Sequence, residues 1–422
     1  MKTAPSLSAA LLLLACGEGD LDPDSVHEVY GMDEDAEDRD DDADTPAPEV
    51  GFFPSAACRV PDDLSPPSDE NVPEGDVSRP SYIDSSGFFV REGRLYDKHG
   101  NDFVMRGVNN AHAWYDTSGR NLAIGALDDI SGYGFNTVRI VWEASTGLSV
   151  NLLHQIIDCV VQLHMVPMVE LHDVTGVPQN LAKSVETGEL TPWDVACSNR
   201  TREECDALYD VLPPDEANAI GHTRLMEMAE YYSRDDVKAV LLEYEDYLLV
   251  NVANEWSGED YFGGYSAAIE HLRDNGINHT LVIDANGWGQ NGQVILDEGQ
   301  RLLDADPQRN LLFSVHMYEQ YADTARITRM LEGAVELELP IIVGEFGPEH
   351  GGETIDVEFI FAESARLGTG YLGWSWKGNE ERLIALDMSL DWEGEDLTEW
   401  GATLVESPNG AGSSQRASMF LF

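Results

Sequence analysis

The sequence is poor in positive charge. Twenty-five Lys and Arg stand against 78 Asp and Glu, a net charge of −53. A nucleic acid is gripped by clustered Lys and Arg, so this balance excludes a nucleic-acid partner. It fits neither an anionic membrane surface nor an anionic polymer, and leaves a neutral partner as the one such a chain accommodates. Long apolar runs are missing at the N-terminus too: Leu7–Ala15 is too short to span a bilayer. No HExxH and no close His spacing occur, so no metal site is expected. No Gly-rich phosphate loop is present, which removes the usual mark of a nucleotide-binding open sheet, and no cofactor is expected. Cysteines number only five.

The acidity that is present is uneven. Gly17–Val50 holds 15 Asp and Glu against one Arg, leaving 63 acids and 24 bases elsewhere. The stretch 17–81 is rich in Asp, Glu, Pro and Ser and has no apolar periodicity. It reads as a disordered acidic linker, extended by its own repulsion. Acidity spread over the rest keeps a protein soluble in salt, so activity that stays flat as salt rises is expected. The linker follows a signal-like segment, 1–16, whose end Leu13-Leu14-Ala15-Cys16 resembles a bacterial lipobox. That resemblance implies lipidation of Cys16 and a membrane contact through the lipid anchor alone. With Gly17 next, it implies the outer membrane or cell surface; an ordinary secretory signal holding a chance Cys is the alternative. In an export compartment the other four cysteines can pair. Cys197 and Cys205, in "CSNRTREEC", are the best-placed pair. Cys159 reads either as a buried thiol on a helix or as a partner for Cys58.

From residue 82 to 422 the pattern changes. Apolar strand-like runs at Phe103–Val108, Thr137–Trp142, Val166–Leu171, Tyr247–Ala253, Thr280–Ile283, Leu311–Met317, Pro340–Gly344 and Tyr371–Trp374 alternate with helical stretches. Among the latter are Leu152–Leu163, Tyr265–Asn275, Ala325–Leu337 and Val357–Leu367. Eight strands separated by helices predict an α/β fold, a closed parallel (β/α)8 TIM barrel. One connection is too long. The insertion at about 177–221 follows the third strand and is expected on the catalytic face, where long loops shape ligand sites.

Two strands end on carboxylates. "YLLVNVANEW" stops at Asn254-Glu255-Trp256, and "PIIVGEFG" carries Glu345. These are the fourth and seventh strands, so the two acids face each other across one end of the barrel. Retaining glycoside hydrolysis needs such a pair, one acid protonating the leaving oxygen and the other attacking the anomeric carbon. Other strand ends carry polar or aromatic groups that a core does not need. They are Arg139 in "TVRIVW", His172 after the third strand, His316 and Tyr318 in "FSVHMYEQY", and Trp374 in "GYLGWSWKGN". His112 and Trp114 follow the first strand and Trp288 the fifth. Flat rings suit the C–H face of a sugar, and neutral polar groups suit its hydroxyls.

The ordered segments "LYDKHGNDFVMRGVNNAHAWY", "TVRIV", "VELHDVTG", "VNVANEW", "LVIDANGWGQ", "FSVHMYE", "IIVGEFG" and "GWSWKGN" resemble glycoside hydrolase family 5. The closest likeness is to its bacterial endo-β-1,4-mannanases. The resemblance implies Glu255 as acid/base and Glu345 as nucleophile, with Tyr318 hydrogen-bonding the nucleophile and Arg139 orienting it. It implies Asn254 at the sugar 2-hydroxyl, His172 and His316 beside that sugar, Trp374 as its platform, and His112, Trp114 and Trp288 as further contacts. The expected substrate is a neutral polysaccharide (mannan, galactomannan or glucomannan), cut by a monomer. The chain departs from the mannanase pattern at "NNAHAWY", at Pro348 and at Lys377, and in the insertion. A β-1,4-glucanase on the same scaffold, or a silent surface polysaccharide binder, are the alternatives.

Overall fold

The structure, a computed structural model, describes residues 57–62, 64–67, 72, 74–115, 121–197, 200–392 and 394–420. Cys16 and the signal-like segment lie outside the described residues, as does the linker up to residue 56.

Eight parallel strands close into a barrel: β1 (Arg106–Asn110), β2 (Thr137–Trp142), β3 (Val166–Leu171), β4 (Leu249–Asn251), β5 (Leu281–Asp284), β6 (Leu311–Met317), β7 (Ile341–Phe346) and β8 (Gly370–Gly373). Each pairs with the next in sequence, and β8 returns to β1. The reason is legible in the residues. β2, β3, β6 and β7 are buried at every position, as strands covered on both faces must be. The helices carry one apolar stripe each. In α1 (Thr324–Glu336), Ile327, Met330, Leu331 and Ala334 recur at helical spacing and face the barrel. All eight strand runs read from the sequence are present, with ends shifted by a few residues.

The base of the barrel is closed by the hairpin Phe89–Arg91/Arg94–Tyr96. Its backbone is tied to the strands above: Val90 N donates to Asn310 Oδ1 (2.9 Å), and Thr280 Oγ1 donates to Phe88 O (3.0 Å). Much of the stretch that composition assigned to the linker is also joined to the barrel. A disulfide links Cys58 to Cys159 on the helix Val150–Gln162. Arg59 pairs with Asp128 at 3.0 Å, and the ring of His164 meets Ser65 O at 2.7 Å.

The insertion carries a small sheet of its own. Leu190–Pro192, Leu181–Ser184 and Tyr209–Val211 form an antiparallel sheet. The short helices Trp193–Cys197 and Arg202–Leu208 are joined by the Cys197–Cys205 disulfide, and Thr201 and Glu204 form a capping box on the second. The next barrel helix, Pro214–Ser233, begins inside the span read as insertion.

Candidate active site

The C-terminal ends of the strands converge on one buried arginine. Arg139, in the middle of β2, is fully buried. Its Nη1 donates to Glu345 Oε1 (2.8 Å) and Asn109 Oδ1 (2.9 Å), its Nη2 to Asn254 Oδ1 (2.7 Å), and its Nε to Asn251 Oδ1 (2.9 Å). Glu170 and Asp284 stand 3.5 Å away. Burial works against the guanidinium charge, but the carboxylates of Glu170, Glu345, Asp284 and Glu255 outweigh it and hold Arg139 above its ordinary value.

Glu345 takes a second hydrogen bond, from the Tyr318 hydroxyl to Oε2 (2.9 Å). Burial raises its carboxyl above the ordinary range; His316, Arg139 and His172 pull against that, and Glu255 adds to it. Burial and the neighbouring carboxylates push the Tyr318 phenol far up, so it stays a donor. Glu255 follows β4 with φ +46°, a left-handed backbone that a side-chain-bearing residue holds only when its surroundings impose it. Its amide donates to Asp284 Oδ2 (3.2 Å), and its Oε1 lies 2.7 Å from His316 Nδ1. A bulge between Val315 and His316 sets His316 opposite Glu345, so the same Nδ1 is 3.5 Å from Glu345 Oε2. One carboxylate oxygen from each glutamate and a His316 nitrogen all lie within 4.8 Å of one another. This trio is the group of ligand-type side chains close enough to hold an ion among the described residues. Burial opposes protonation of His316, but Glu345, Asp284 and Glu255 raise it to about 9.

His172 joins the network through Nδ1, 2.9 Å from Glu170 Oε1. Burial lowers its charge, while Glu170 and Glu345 raise it more. Its ring lies between two indoles, Trp114 at 4.4 Å and Trp374 at 5.8 Å. Trp374 is fixed at its other end by Nε1 donating to Asn379 Oδ1 (2.9 Å). Asn254 Nδ2 donates to Thr175 Oγ1 (2.9 Å), at the root of the insertion.

Residues 96–380 match the pattern of the family described as "Cellulase (glycosyl hydrolase family 5)". The chain belongs to glycosyl hydrolase family 5. A "Mannan endo-1,4-beta-mannosidase" of Salipaludibacillus agaradhaerens is 34% identical over 344 residues, covering 79% of this chain and 95% of the relative. One of the same name from Cellvibrio japonicus is 31% identical, covering 80% and 70%. Among solved structures, the mannotriose complex of the Thermomonospora fusca β-mannanase is 32% identical with TM-score 0.62. It covers 79% of this chain and 99% of that one.

Within this family 5 barrel, the sequence-read residues fall in three places. Glu255, Glu345, Arg139, His172, Asn254, His316, Tyr318, Trp374 and Trp114 form one contiguous network. Trp288 lies beside it: its indole stands where a side chain on Gly176 would fall, and Gly176 N donates to Glu255 O (3.1 Å). His112 is different. It is fully buried, its Nδ1 is 3.2 Å from Leu122 O, and its ring meets Trp392 edge-on at 4.9 Å. That position supports the loop after β1.

Sequence reading passed over Glu170, Asp284, Asn109 and Asn251. Each is fully buried inside a strand, where a charged or amide side chain needs a partner. The available signal was parity: Glu170 points to the same side as His172, two residues on.

Proposed function

We propose that this family 5 chain is a retaining endo-β-1,4-mannanase, with Glu255 as acid/base and Glu345 as nucleophile. The observation that supports it best is the short gap between the two carboxylates. An inverting pair stands about 6.5–9.5 Å apart to admit a water, whereas a retaining pair stands about 5–5.5 Å apart. Oxygens within 4.8 Å leave room for a sugar carbon and none for an intervening water. The mannanases that the chain resembles over most of its length support the choice of polymer.

In the first half-reaction a Glu345 oxygen bonds the anomeric carbon as Glu255 protonates the glycosidic oxygen, and the leaving chain departs with a new hydroxyl. Arg139 and Tyr318 both hydrogen-bond the ionised form of Glu345, which offsets the burial that raises it. His316, 2.7 Å from Glu255, holds the acid in position to give up its proton. Esterification removes the Glu345 charge, so Glu255 ionises more readily and accepts a proton from water. That water attacks the anomeric carbon, releases Glu345 and leaves the configuration retained. Asn254, fixed by Arg139 and Thr175, is placed to bind the 2-hydroxyl, with Trp374 beneath the ring and His172 beside it.

The chain works as a monomer attached to the cell surface by lipid on Cys16, and its polysaccharide is neutral. Galactomannan and carboxymethylcellulose, compared by release of reducing ends, test the function. Preferential release from the mannan is expected; equal or greater release from the cellulose derivative points to a β-1,4-glucanase. A Cys16→Ser protein that remains with the membrane fraction removes the anchor from the proposal.

A further inference from the structure

Pro348, one of the departures from the mannanase pattern, leads from β7 into a tight hairpin, Glu349–His350/Glu353–Thr354. Its tip is Gly351 (φ +59°) and Gly352 (φ +81°), a pair of left-handed residues that turns the chain in two steps. The turn delivers His350 onto the ring of Tyr318, with centroids 4.6 Å apart and planes tilted by 34°. His350 Nδ1 is 2.6 Å from Glu319 Oε2. The other Glu319 oxygen accepts from Gln290 Nε2 (3.0 Å), and Gln290 Oε1 accepts from Gln320 N (3.2 Å). Burial opposes the Glu319 charge, but the bonds from His350 and Gln290 hold its carboxyl below the ordinary glutamate value. The histidine is thus fixed on one side by a hydrogen bond to Glu319 and pressed on the other against a tyrosine. That tyrosine donates to Glu345 Oε2 at 2.9 Å.

We propose that His350 is a positioning residue for the nucleophile, acting through Tyr318 and held in place by Glu319. This rests on Glu345 being the nucleophile. A phenol reaches a carboxylate at bonding distance only if its ring is kept from swinging, and His350 covers the ring on the hairpin side. Loss of the cover loosens one of the two strong donors to Glu345 and leaves Arg139 as the other. A carboxylate with one donor fewer is harder to ionise at a buried site. Glu345 is faced by Tyr115 beyond β1, Arg139 of β2, His172 beyond β3, Glu255 beyond β4 and His316 and Tyr318 from β6. None of these is replaced when His350 is changed, so a shift in the acid limb reports the Tyr318 contact.

The test is kcat and KM against pH on a β-mannan for the wild type, His350→Ala, His350→Phe, Tyr318→Phe and His350→Ala/Tyr318→Phe. In His350→Ala, kcat falls about tenfold with KM within about twofold, as small displacements at a reacting centre do. The acid limb of kcat/KM moves to higher pH. His350→Phe, which keeps a ring over Tyr318, recovers most of the loss even if the alanine variant folds poorly. The double variant is no worse than Tyr318→Phe alone. Wild-type kcat and an unmoved acid limb in His350→Ala overturn the proposal. So does a loss confined to KM, or one that adds fully to that of Tyr318→Phe. A wild type inactive on every β-mannan overturns the functional reading together with this one, whereas an active wild type with an indifferent His350→Ala overturns this one alone.

Discussion

Two fully buried histidines stand at opposite ends of the barrel, and their surroundings pull them in opposite directions. His279, at the base before β5, is pushed down to about 4 by burial, with Arg273 adding to the effect and a contact to Leu241 O opposing it. His316, at the mouth, is raised to about 9 against the same burial, by Glu345, Asp284 and Glu255. The contrast extends to the charges. At the base, Arg273 meets one carboxylate, Asp306, and spends its other donors on the backbone oxygens of Ile277, His279 and Asn310. At the mouth, Arg139 meets three, Glu170, Asp284 and Glu345, within 3.5 Å. Buried polarity alone is therefore no mark of function. Pairing one to one stabilises a base, whereas crowding carboxylates beyond their cations leaves some of them poised to exchange protons.

The hardest break in this comparison comes from the mouth. Glu345→Ala should lower kcat by at least about 10³-fold on every substrate, read as initial rates. Near-wild-type turnover would remove the nucleophile assignment. Glu255→Ala should lose roughly 10²–10⁴-fold on polymer. It should lose much less on an aryl mannoside whose leaving group needs no proton, and equal loss on both would remove the acid role.

Replacing either arginine separates chemistry from stability. Arg139→Met and Arg273→Met each leave buried carboxylate unpaired and should cost about 3–5 kcal/mol in denaturant unfolding. Only Arg139→Met should also depress kcat in the fraction that remains folded; a matching kcat loss in Arg273→Met would blur the distinction between the two ends.

The histidines themselves predict opposite pH slopes. A histidine unfolds to a value near 6.5. The His316 contribution is therefore fully present below about pH 6.5 and disappears as pH rises toward about 9. The neutral His279 makes its contribution above about pH 6.5, and it is lost as pH falls toward about 4. Chemical-denaturation midpoints should trace a dome. His316→Gln should flatten its alkaline side and His279→Gln lessen the fall on its acid side; unchanged slopes would show that other groups set the profile.

How much of this was legible in the sequence follows from the same contrast. Glu255 and Glu345 stood out because each interrupts an apolar run at its end. Glu170 did not, because it sits inside β3, and Asp284, the last residue of β5, did not, because its partner Arg139 comes from a strand far away in sequence. Pairing of β2 with β3 brings Glu170 to Arg139, and the curvature of the barrel brings Asp284 across to it. His112 follows a strand end, as a sugar contact would, and the loop packs it against Leu122 and Trp392. The insertion's small sheet was hidden because its strands are three or four residues long, too short for a period to stand out.

The smallest expected effect lies far from the chemistry. Cys58→Ser opens a bridge spanning 101 residues and should cost about 2–4 kcal/mol with kcat unchanged, checked by thermal unfolding beside rate assays.

That bridge also decides where a mechanical pull on the N-terminal part of the chain would arrive. Tension reaching Cys58 would cross two sulfur atoms into the helix Val150–Gln162 and bypass the backbone between Cys58 and Cys159. The hairpin at Phe89–Tyr96 would carry none of it. A pull of that kind would thus load a covalent link in the flank of the barrel, and the hairpin at its base would stay in place.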